Sequence, residues 1–255
     1  HIERWRSQQI EGSFAYVYLD GIVLKRSWGG EIKNVSVLAA VGVDSDGYRR
    51  ILGVSEGHKE DKSGWLGFLK ELKKRGLTGV RLIISDACLG LVESMAEVFP
   101  DAAWQRCTVH FYRNVFSHVP RGRMREVAAM LKAIHAQDSR ESAEVKAEDV
   151  IRKLEAMKLK AAAQLVEKSI HETFAYYGYP PQHWLKIRTN NPMERLLKEA
   201  RRRTKLVGAF PDGNSALMLV AARLRHVSST TWGTRKYMKM KLLNEMDQEA
   251  IYSVA

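Results

Sequence analysis

The sequence predicts an α/β fold in which a mixed five-stranded sheet is flanked by helices and interrupted by an all-helical segment. Three observations predict it. Strand and helix patterns alternate up to about residue 107, strand signals almost disappear between residues 121 and 177, and the C-terminal third is helical and strongly basic. A chain of 255 residues, 45% of them hydrophobic, is long enough to bury such a core.

The first three predicted strands form an antiparallel start. Residues 14–20 (FAYVYLD) are rich in aromatic and β-branched side chains and are followed by Gly21, where we expect the strand to end. Residues 35–43 and 50–55 flank an Asp-Gly pair at positions 46–47, which is a hairpin turn signal. The second and third strands are therefore expected to pair antiparallel.

Helices and strands then alternate. Residues 65–75 show helical spacing of apolar side chains and end at Gly76, and residues 89–99 form a second such helix. Between them, residues 80–85 (VRLIIS) make a short apolar run typical of a strand buried on both faces. Residues 102–107 are a fifth strand. This order joins parallel crossovers to the antiparallel start.

A helical block follows. Residues 121–177 are dense in Ala, Glu, Lys and Met, and their apolar residues recur at helical spacing. The block ends at a Gly-Tyr-Pro-Pro turn, residues 178–181. The third segment, residues 182–255, is also helical.

The charge is basic and localised. The chain has 41 Lys and Arg against 29 Asp and Glu, a net charge of +12. Residues 181–241 hold 14 of the basic and three of the acidic residues, a net charge of +11. Such a concentration favours a binding face for nucleic acid.

Membrane insertion and secretion are not indicated. The longest apolar runs fall far short of the roughly 20 residues of a spanning helix, and no signal segment opens the chain. Two cysteines, Cys88 and Cys107, suit a reducing cytosol, so a cytoplasmic location is expected. Because the chain starts at His1 and not at Met, we also expect that an N-terminal part of the natural protein is missing.

Two aspartates follow predicted strands. Asp20 ends the first strand and Asp86 follows the buried run VRLIIS. In open α/β sheets functional groups gather beyond strand ends, and two carboxylates there repel each other unless a cation lies between them. Mg²⁺ prefers such oxygen ligands. The alternative for either residue alone is a turn or a helix cap.

Glu194 has two interpretations. Asn191, Pro192 and Glu194 form a good helix start, in which the glutamate would close a capping box. On a helical wheel, however, Glu194 lies within roughly 60° of three basic residues further along the helix. These are Lys198, Arg201 and Lys205. A carboxylate heading a phosphate-binding stripe is well placed to hold a metal, so the ligand interpretation is preferred.

The same helix predicts DNA contact. Lys198, Arg201, Arg202 and Lys205 are the candidate phosphate-binding residues, because basic residues continue through the C-terminal segment beyond them. Such contacts position DNA without reading its sequence.

Cys107 and His110 have a spacing that permits two metal ligands. Zinc normally takes four protein ligands, or three and a water, and no further histidine shows partner spacing. A structural role at a strand–helix junction is the preferred interpretation.

Taken together, the motifs resemble those of one family. The pieces are YVYLDG at Asp20, ISDACLGL at Asp86, FPDAAWQRCTVHFYRNV with its Cys-x-x-His, IRTNNPMERLLKEARRRTK, and VGAFPDGNSAL. In this order they resemble the mutator-type bacterial insertion-sequence transposases, of the DDE class with a ribonuclease-H-like catalytic fold. The resemblance spans most of residues 3–226.

The resemblance implies a site and a domain plan. Asp20, Asp86 and Glu194 would be the catalytic triad. Residues 1–112 would be the first part of the ribonuclease-H-like domain, residues 113–180 a helical insertion, and residues 181–255 its second part with a basic tail. The family's region that recognises terminal inverted repeats is absent from this chain.

The activity expected is Mg²⁺-dependent cleavage at transposon ends and strand transfer into target DNA, with two ions per site and Mn²⁺ as a substitute. The partner would be double-stranded DNA, bound by a homodimer on paired ends in the nucleoid-associated cytoplasm. Two alternatives stay open. One is a ribonuclease-H-like nuclease or resolvase without strand transfer, and the other is a catalytically dead DNA-binding remnant.

Overall fold

The computed structural model describes residues 2–28, 31–57 and 62–254. These residues form five strands: β1 (Tyr16–Trp28), β2 (Glu31–Val43), β3 (Arg49–Gly57), β4 (Leu82–Ser85) and β5 (Ala103–Arg106).

The described residues also form twelve α-helices. In chain order they are α1 (Ile2–Arg6), α2 (Lys62–Lys74), α3 (Leu89–Val98), α4 (Thr108–Phe116), α5 (Met124–Ile134), α6 (Arg140–Ala156), α7 (Lys160–Ser169), α8 (Trp184–Ile187), α9 (Asn191–Val207), α10 (Gly213–Ser228), α11 (Thr231–Thr234) and α12 (Lys241–Val254). None of these described helices combines the length and the hydrophobicity that crossing a lipid bilayer requires.

The strands form one mixed sheet in the order β3-β2-β1-β4-β5. β1 pairs antiparallel with β2, and β2 with β3 across a bulge between Ala40 and Val41. β1 pairs in parallel with β4, from Tyr16 opposite Leu82 to Tyr18 opposite Ile84. The predicted α/β class, with its five-stranded ribonuclease-H-like sheet, is confirmed.

The hairpin of β1 and β2 is longer than predicted, because β1 ends later and β2 begins earlier, at Glu31. β1 does not end at Gly21 but continues to Trp28, with Gly21 paired to Leu38 of β2. The reason is that a partner strand takes up the backbone groups along this whole stretch, so a single glycine does not stop it. Only the parallel pairing with β4 stops early, at Tyr18.

One face of the sheet carries the main apolar core. Trp65, Phe68, Leu69 and Leu72 of α2 are buried, as the helical spacing predicted. They pack in one cluster with Val17 and Leu19 of β1 and with Leu91, Met95 and Val98 of α3. The alternating residues of β1, including Tyr18, Asp20 and Ile22, therefore face the opposite side of the sheet. Helices α9 and α10 pack against the strands on that side.

The chain divides into two compact units. The first comprises the residues up to Trp104 and those from Asn190 onward, and the second is Gln105–Thr189. The second unit is built from α4 to α8, and the predicted insertion, residues 113–180, lies within it. Its core includes Phe111, Leu131, Leu154 and Phe174, all fully buried.

Candidate functional site

Asp20 lies where β1 leaves its parallel partner. The last parallel pair is Tyr18 opposite Ile84, Asp20 lies two residues further along β1, and Asp86 is the first residue after β4. If the parallel register were continued past this pair, Asp20 would stand opposite Asp86. Both side chains are half-buried.

The backbone around Asp86 is held by hydrogen bonds. The Ser85 hydroxyl is fully buried, accepts a 2.9 Å bond from Trp104 Nε1 and donates a 2.9 Å bond to the Asp86 carbonyl oxygen. The Asp86 Oδ1 atom accepts a 2.7 Å bond from the Ala87 N–H, and Asp20 Oδ1 accepts a 2.8 Å bond from the next N–H in the same way. These bonds fix the orientation of both carboxylates.

Helix α9 brings Glu194 to the same part of β1. The side-chain amide of Asn190 donates a 2.9 Å hydrogen bond to the carbonyl oxygen of Leu19. Further along the helix, Arg201 Nη2 is 3.5 Å from the carbonyl oxygen of Gly21. The two contacts lie on either side of Asp20 in the sequence of β1. Glu194 stands between them in the first turn of α9, half-buried.

The helix start differs from the capping-box interpretation. That interpretation makes Asn191 the N-cap and Glu194 the third helical residue. In the structure Asn190 is the N-cap, its side chain makes no capping bond, and α9 begins at Asn191. Glu194 is then the fourth helical residue, one position beyond the one that a capping box uses. The argument for a local capping role is weaker as a result.

The donor set suits a hard divalent cation. Asp20, Asp86 and Glu194 offer only carboxylate oxygens, which Mg²⁺ and Mn²⁺ prefer. Among the described residues, no group of three or more His, Cys, Asp or Glu side chains is arranged closely enough to hold a metal ion. Carboxylates that lie close together repel each other unless a cation or a proton lies between them. The argument that these three residues suit a divalent cation therefore rests on the chemistry of the ligands and on the strand register.

The predicted basic residues divide into two groups. Lys198, Arg201 and Lys205 are exposed. Arg202 is also exposed, but it makes a bidentate ion pair with Glu199, at 2.8 and 3.2 Å.

The Glu199 carboxylate also receives a second arginine, Arg223 of α10. Hydrogen bonds from Arg202 and Arg223 lower the pKa of Glu199 to about 2. Arg202 is thus part of an ionic cluster that joins α9 to α10.

Cys107 and His110 belong to the second unit of the chain, Gln105–Thr189. Cys107 is a free, fully buried thiol at the N-cap position of α4, directly after β5. His110 is half-buried in the first turn of that helix. The motif therefore sits at a strand–helix junction.

Sequence reasoning missed a group of side chains on the α9 side of the sheet. Tyr18 is fully buried, and burial, followed by the neighbouring Tyr237, raises its pKa well above the usual value. Arg49 of β3 packs on the ring of Tyr237, 4.6 Å from its centroid. The alternation of β1 could have marked Tyr18 as a same-face neighbour of Asp20. No local signal points to Tyr237, which is more than 200 residues away in the chain.

Comparison with known proteins places these features in a family. The profile described as transposase, Mutator family, matches residues 1–232. The transposase for insertion sequence element IS1081 of Mycobacterium tuberculosis is 37% identical over 243 residues, which are 95% of this chain and 58% of that protein. The transposase for ISRM5 of Rhizobium meliloti is 36% identical over 256 residues, 100% of this chain and 64% of that protein.

A third relative is more distant. The transposase for IS256 in transposon Tn4001 of Staphylococcus aureus is 30% identical over 240 residues, 93% of this chain and 61% of that protein. The chain thus spans about three fifths of the length of these relatives. With the family profile covering most of its residues, the chain belongs to the Mutator family of transposases.

Proposed function

We propose that this chain is the catalytic core of a DNA transposase that cleaves DNA at transposon ends and joins those ends to target DNA. The observation that supports it most is the convergence on one stretch of β1. Asp20 lies on β1 just beyond its parallel pairing with β4, Asp86 directly follows β4, and α9 is docked on either side of Asp20 with Glu194 between its anchors. The relatives named as insertion-sequence transposases support the same activity.

In this proposal Asp20, Asp86 and Glu194 would together hold two Mg²⁺ ions. When bound, the ions would supply Lewis-acid activation of a water or a DNA 3′-OH and stabilisation of the leaving oxygen. Because carboxylates of this kind repel each other when bare, DNA and metal would bind together and complete the site.

The exposed basic residues of α9 would bind the DNA backbone. Arg201 lies beside the carbonyl of Gly21, next to Asp20, so a phosphate bound there would be adjacent to the carboxylates. Lys198 and Lys205 extend the positive charge along the same helical stripe. Since each phosphate contact releases counterions, DNA affinity should fall steeply with salt. A homodimer would hold the two transposon ends together.

The test is the substitution Asp86→Asn in the full-length protein, assayed on DNA that contains its own element ends. Removing one metal-binding oxygen charge should abolish Mg²⁺-dependent nicking and joining while DNA binding persists. Asp101→Asn is the matched control, because Asp101 is an exposed aspartate of the same unit. Retained nicking by the Asp86→Asn protein would overturn the proposal. Hydrolysis products without joined strands would identify a nuclease in place of a transposase.

A further inference from the structure

A second group of basic residues lies in the helical unit Gln105–Thr189. Three arginines stand around the start of α5, and two lysines stand at the turn between α6 and α7. All five side chains are exposed: Arg121, Arg123, Arg125, Lys158 and Lys160. The same two segments, residues 121–126 and 155–160, contain two acidic residues, Glu126 and Glu155, against these five basic ones, so their net charge is +3.

A direct contact joins the two segments. Arg123 Nη1 donates a 3.1 Å hydrogen bond to the carbonyl oxygen of Met157, the residue before Lys158. Met124 and Met157 both pack against the apolar core of the unit. The five cations therefore belong to one surface patch, which we call the turn cluster.

The cations of the turn cluster are not neutralised by ion pairs. On α6, by contrast, three cations pair with carboxylates of the same helix at 2.9 or 3.0 Å. They are Arg140, Lys146 and Lys153. Within the described part of the chain, no member of the turn cluster forms an ion pair with a carboxylate. Their charge is thus available to an anionic partner.

Lys158 has a backbone conformation that normally belongs to glycine. Its φ is +61°, and among the described residues it is the only non-glycine with a positive φ. It ends α6 in a Schellman motif, in which the Leu159 N–H donates to the Leu154 carbonyl oxygen at 2.9 Å and the Lys158 N–H donates to that of Glu155 at 2.8 Å. Glycine is usual at this position because it has no Cβ. A lysine here lowers the stability of the turn, which points to a role for its side chain other than folding.

We infer that the turn cluster is a second DNA-binding surface, which contacts the phosphate backbone of double-stranded DNA. The inference goes beyond the proposed function, in which α9 supplies the contacts to the DNA backbone. Exposed cations without carboxylate partners complement a row of phosphates, and the fork of an arginine side chain can donate two hydrogen bonds to one phosphate. The chain belongs to a family of transposases, which act on DNA, so DNA is the polyanion that this charge matches.

The first experiment measures binding of the full-length protein to double-stranded DNA by fluorescence anisotropy at several salt concentrations. The triple variant Arg121→Ala, Arg125→Ala, Lys158→Gly should reduce the steepness of log K against log salt by about 2 to 3, because each phosphate contact contributes about 0.9.

The matched control removes the same net charge from the paired cations of α6, in the triple variant Arg140→Ala, Lys146→Ala, Lys153→Ala. This control should keep a slope close to that of the wild type. Equal slopes for the two triple variants would overturn the inference.

Lys158→Gly separates DNA binding from folding. Glycine adopts the left-handed conformation freely, so the urea midpoint of unfolding should be unchanged or higher, while the salt slope becomes shallower by about 0.9. Lys158→Asn, which also tolerates this conformation, should lose the same phosphate contact. Lys158→Arg keeps the charge and should bind DNA with the wild-type slope. If Lys158→Gly and Lys158→Asn bind DNA like Lys158→Arg, the inference fails.

A different partner and a failure of the proposed function give different results. If the turn-cluster triple variant keeps the DNA slope of its control but loses binding to polyglutamate, the surface serves an acidic protein and the inference is overturned. Nicking by Asp86→Asn would end the proposed function without changing any salt slope. An inactive Asp86→Asn protein, together with equal slopes for the two triple variants, would remove only the second DNA-binding surface.

Discussion

The helical unit Gln105–Thr189 contains a histidine that should make its stability depend on pH. His135 is 4% exposed, and its ring nitrogens both have partners. Nε2 lies 2.8 Å from the Thr173 hydroxyl, which itself donates to the Ile170 carbonyl oxygen and so accepts from the imidazole. Nδ1 then accepts from the Tyr112 hydroxyl, 2.8 Å away. A neutral ring with its proton on Nε2 satisfies both of these contacts, while the Leu131 carbonyl oxygen lies 3.3 Å from Nδ1.

The size of this pH effect on the unfolding free energy follows from the pKa of His135. Burial lowers it from 6.5 to about 4, with a smaller contribution from the nearby Arg188 guanidinium. Since the folded pKa lies below the unfolded one, the unfolded chain binds the proton first as the pH falls. The stabilisation is therefore fully present above pH 6.5 and is lost between pH 6.5 and about 4. A difference of this size corresponds to about 3 kcal/mol of unfolding free energy.

Hydrogen exchange of amides in α4 to α7 measures this loss within the unit, without assuming that the whole chain unfolds in one step. The comparison is between wild type and His135→Phe, from pH 7.5 to 4.5. The phenylalanine variant cannot titrate at this position. Its partners stay satisfied, because the Tyr112 hydroxyl also reaches the Leu131 carbonyl oxygen at 3.1 Å and Thr173 keeps its bond to Ile170.

Between pH 7.5 and 4.5 the wild type should lose, relative to His135→Phe, most of the unfolding free energy of about 3 kcal/mol. His118→Phe, at an exposed position of the same unit, should leave the wild-type profile unchanged. A constant difference between wild type and His135→Phe at all pH values would refute the reasoning. So would an NMR titration of the His135 ring with a midpoint near 6.5.

Two further predictions concern α9. Glu199→Gln should release Arg202 and Arg223 for phosphate contact, so the slope of log K for DNA binding against log salt should become steeper by up to about 1.8. The control is Glu11→Gln, at an exposed site in the same unit, which should leave the slope unchanged. Equal slopes for the two variants would contradict the role of the ionic cluster. Asn190→Ala removes the bond to the Leu19 carbonyl and should lower the unfolding free energy by about 1–3 kcal/mol, measured by urea titration. An equal loss for its exposed neighbour Asn191→Ala would show that the docking bond is not the cause.

Local periodicity was sufficient to predict most of the fold. The burial of Trp65, Phe68 and Leu72 follows from helical spacing, and β4 is fully buried because its residues form an unbroken apolar run. The end of β1 was predicted wrongly at Gly21. Glycine is a weak strand former, but a full-length partner strand overrides that preference, and pairing between distant segments is not encoded in a local pattern.

The pairing of charges was harder to predict. Arg202 looked like any other member of the basic run, yet it is bound to Glu199 together with Arg223, which lies on the next helix. The contact of Arg223 with Glu199 depends on how α9 packs against α10, and a helical wheel of α9 alone holds no information about its neighbour. The same limit applies to Tyr237 and Arg49, which come together only after the chain has folded.

The continuation of β1 beyond Asp20 changes how the backbone of the carboxylate site is supported. If β1 ended at Asp20, the carboxylate would sit on a loose strand end and would need support from a ligand. Because β1 continues to Trp28, paired with β2, Asp20 is instead fixed on both sides by regular hydrogen-bonded backbone. What ends at this level is β4, which leaves Asp86 on a turn held by Ser85 and Trp104. In the proposed metal site, Asp20 would therefore be held by strand pairing and Asp86 by the hydrogen bonds of its turn.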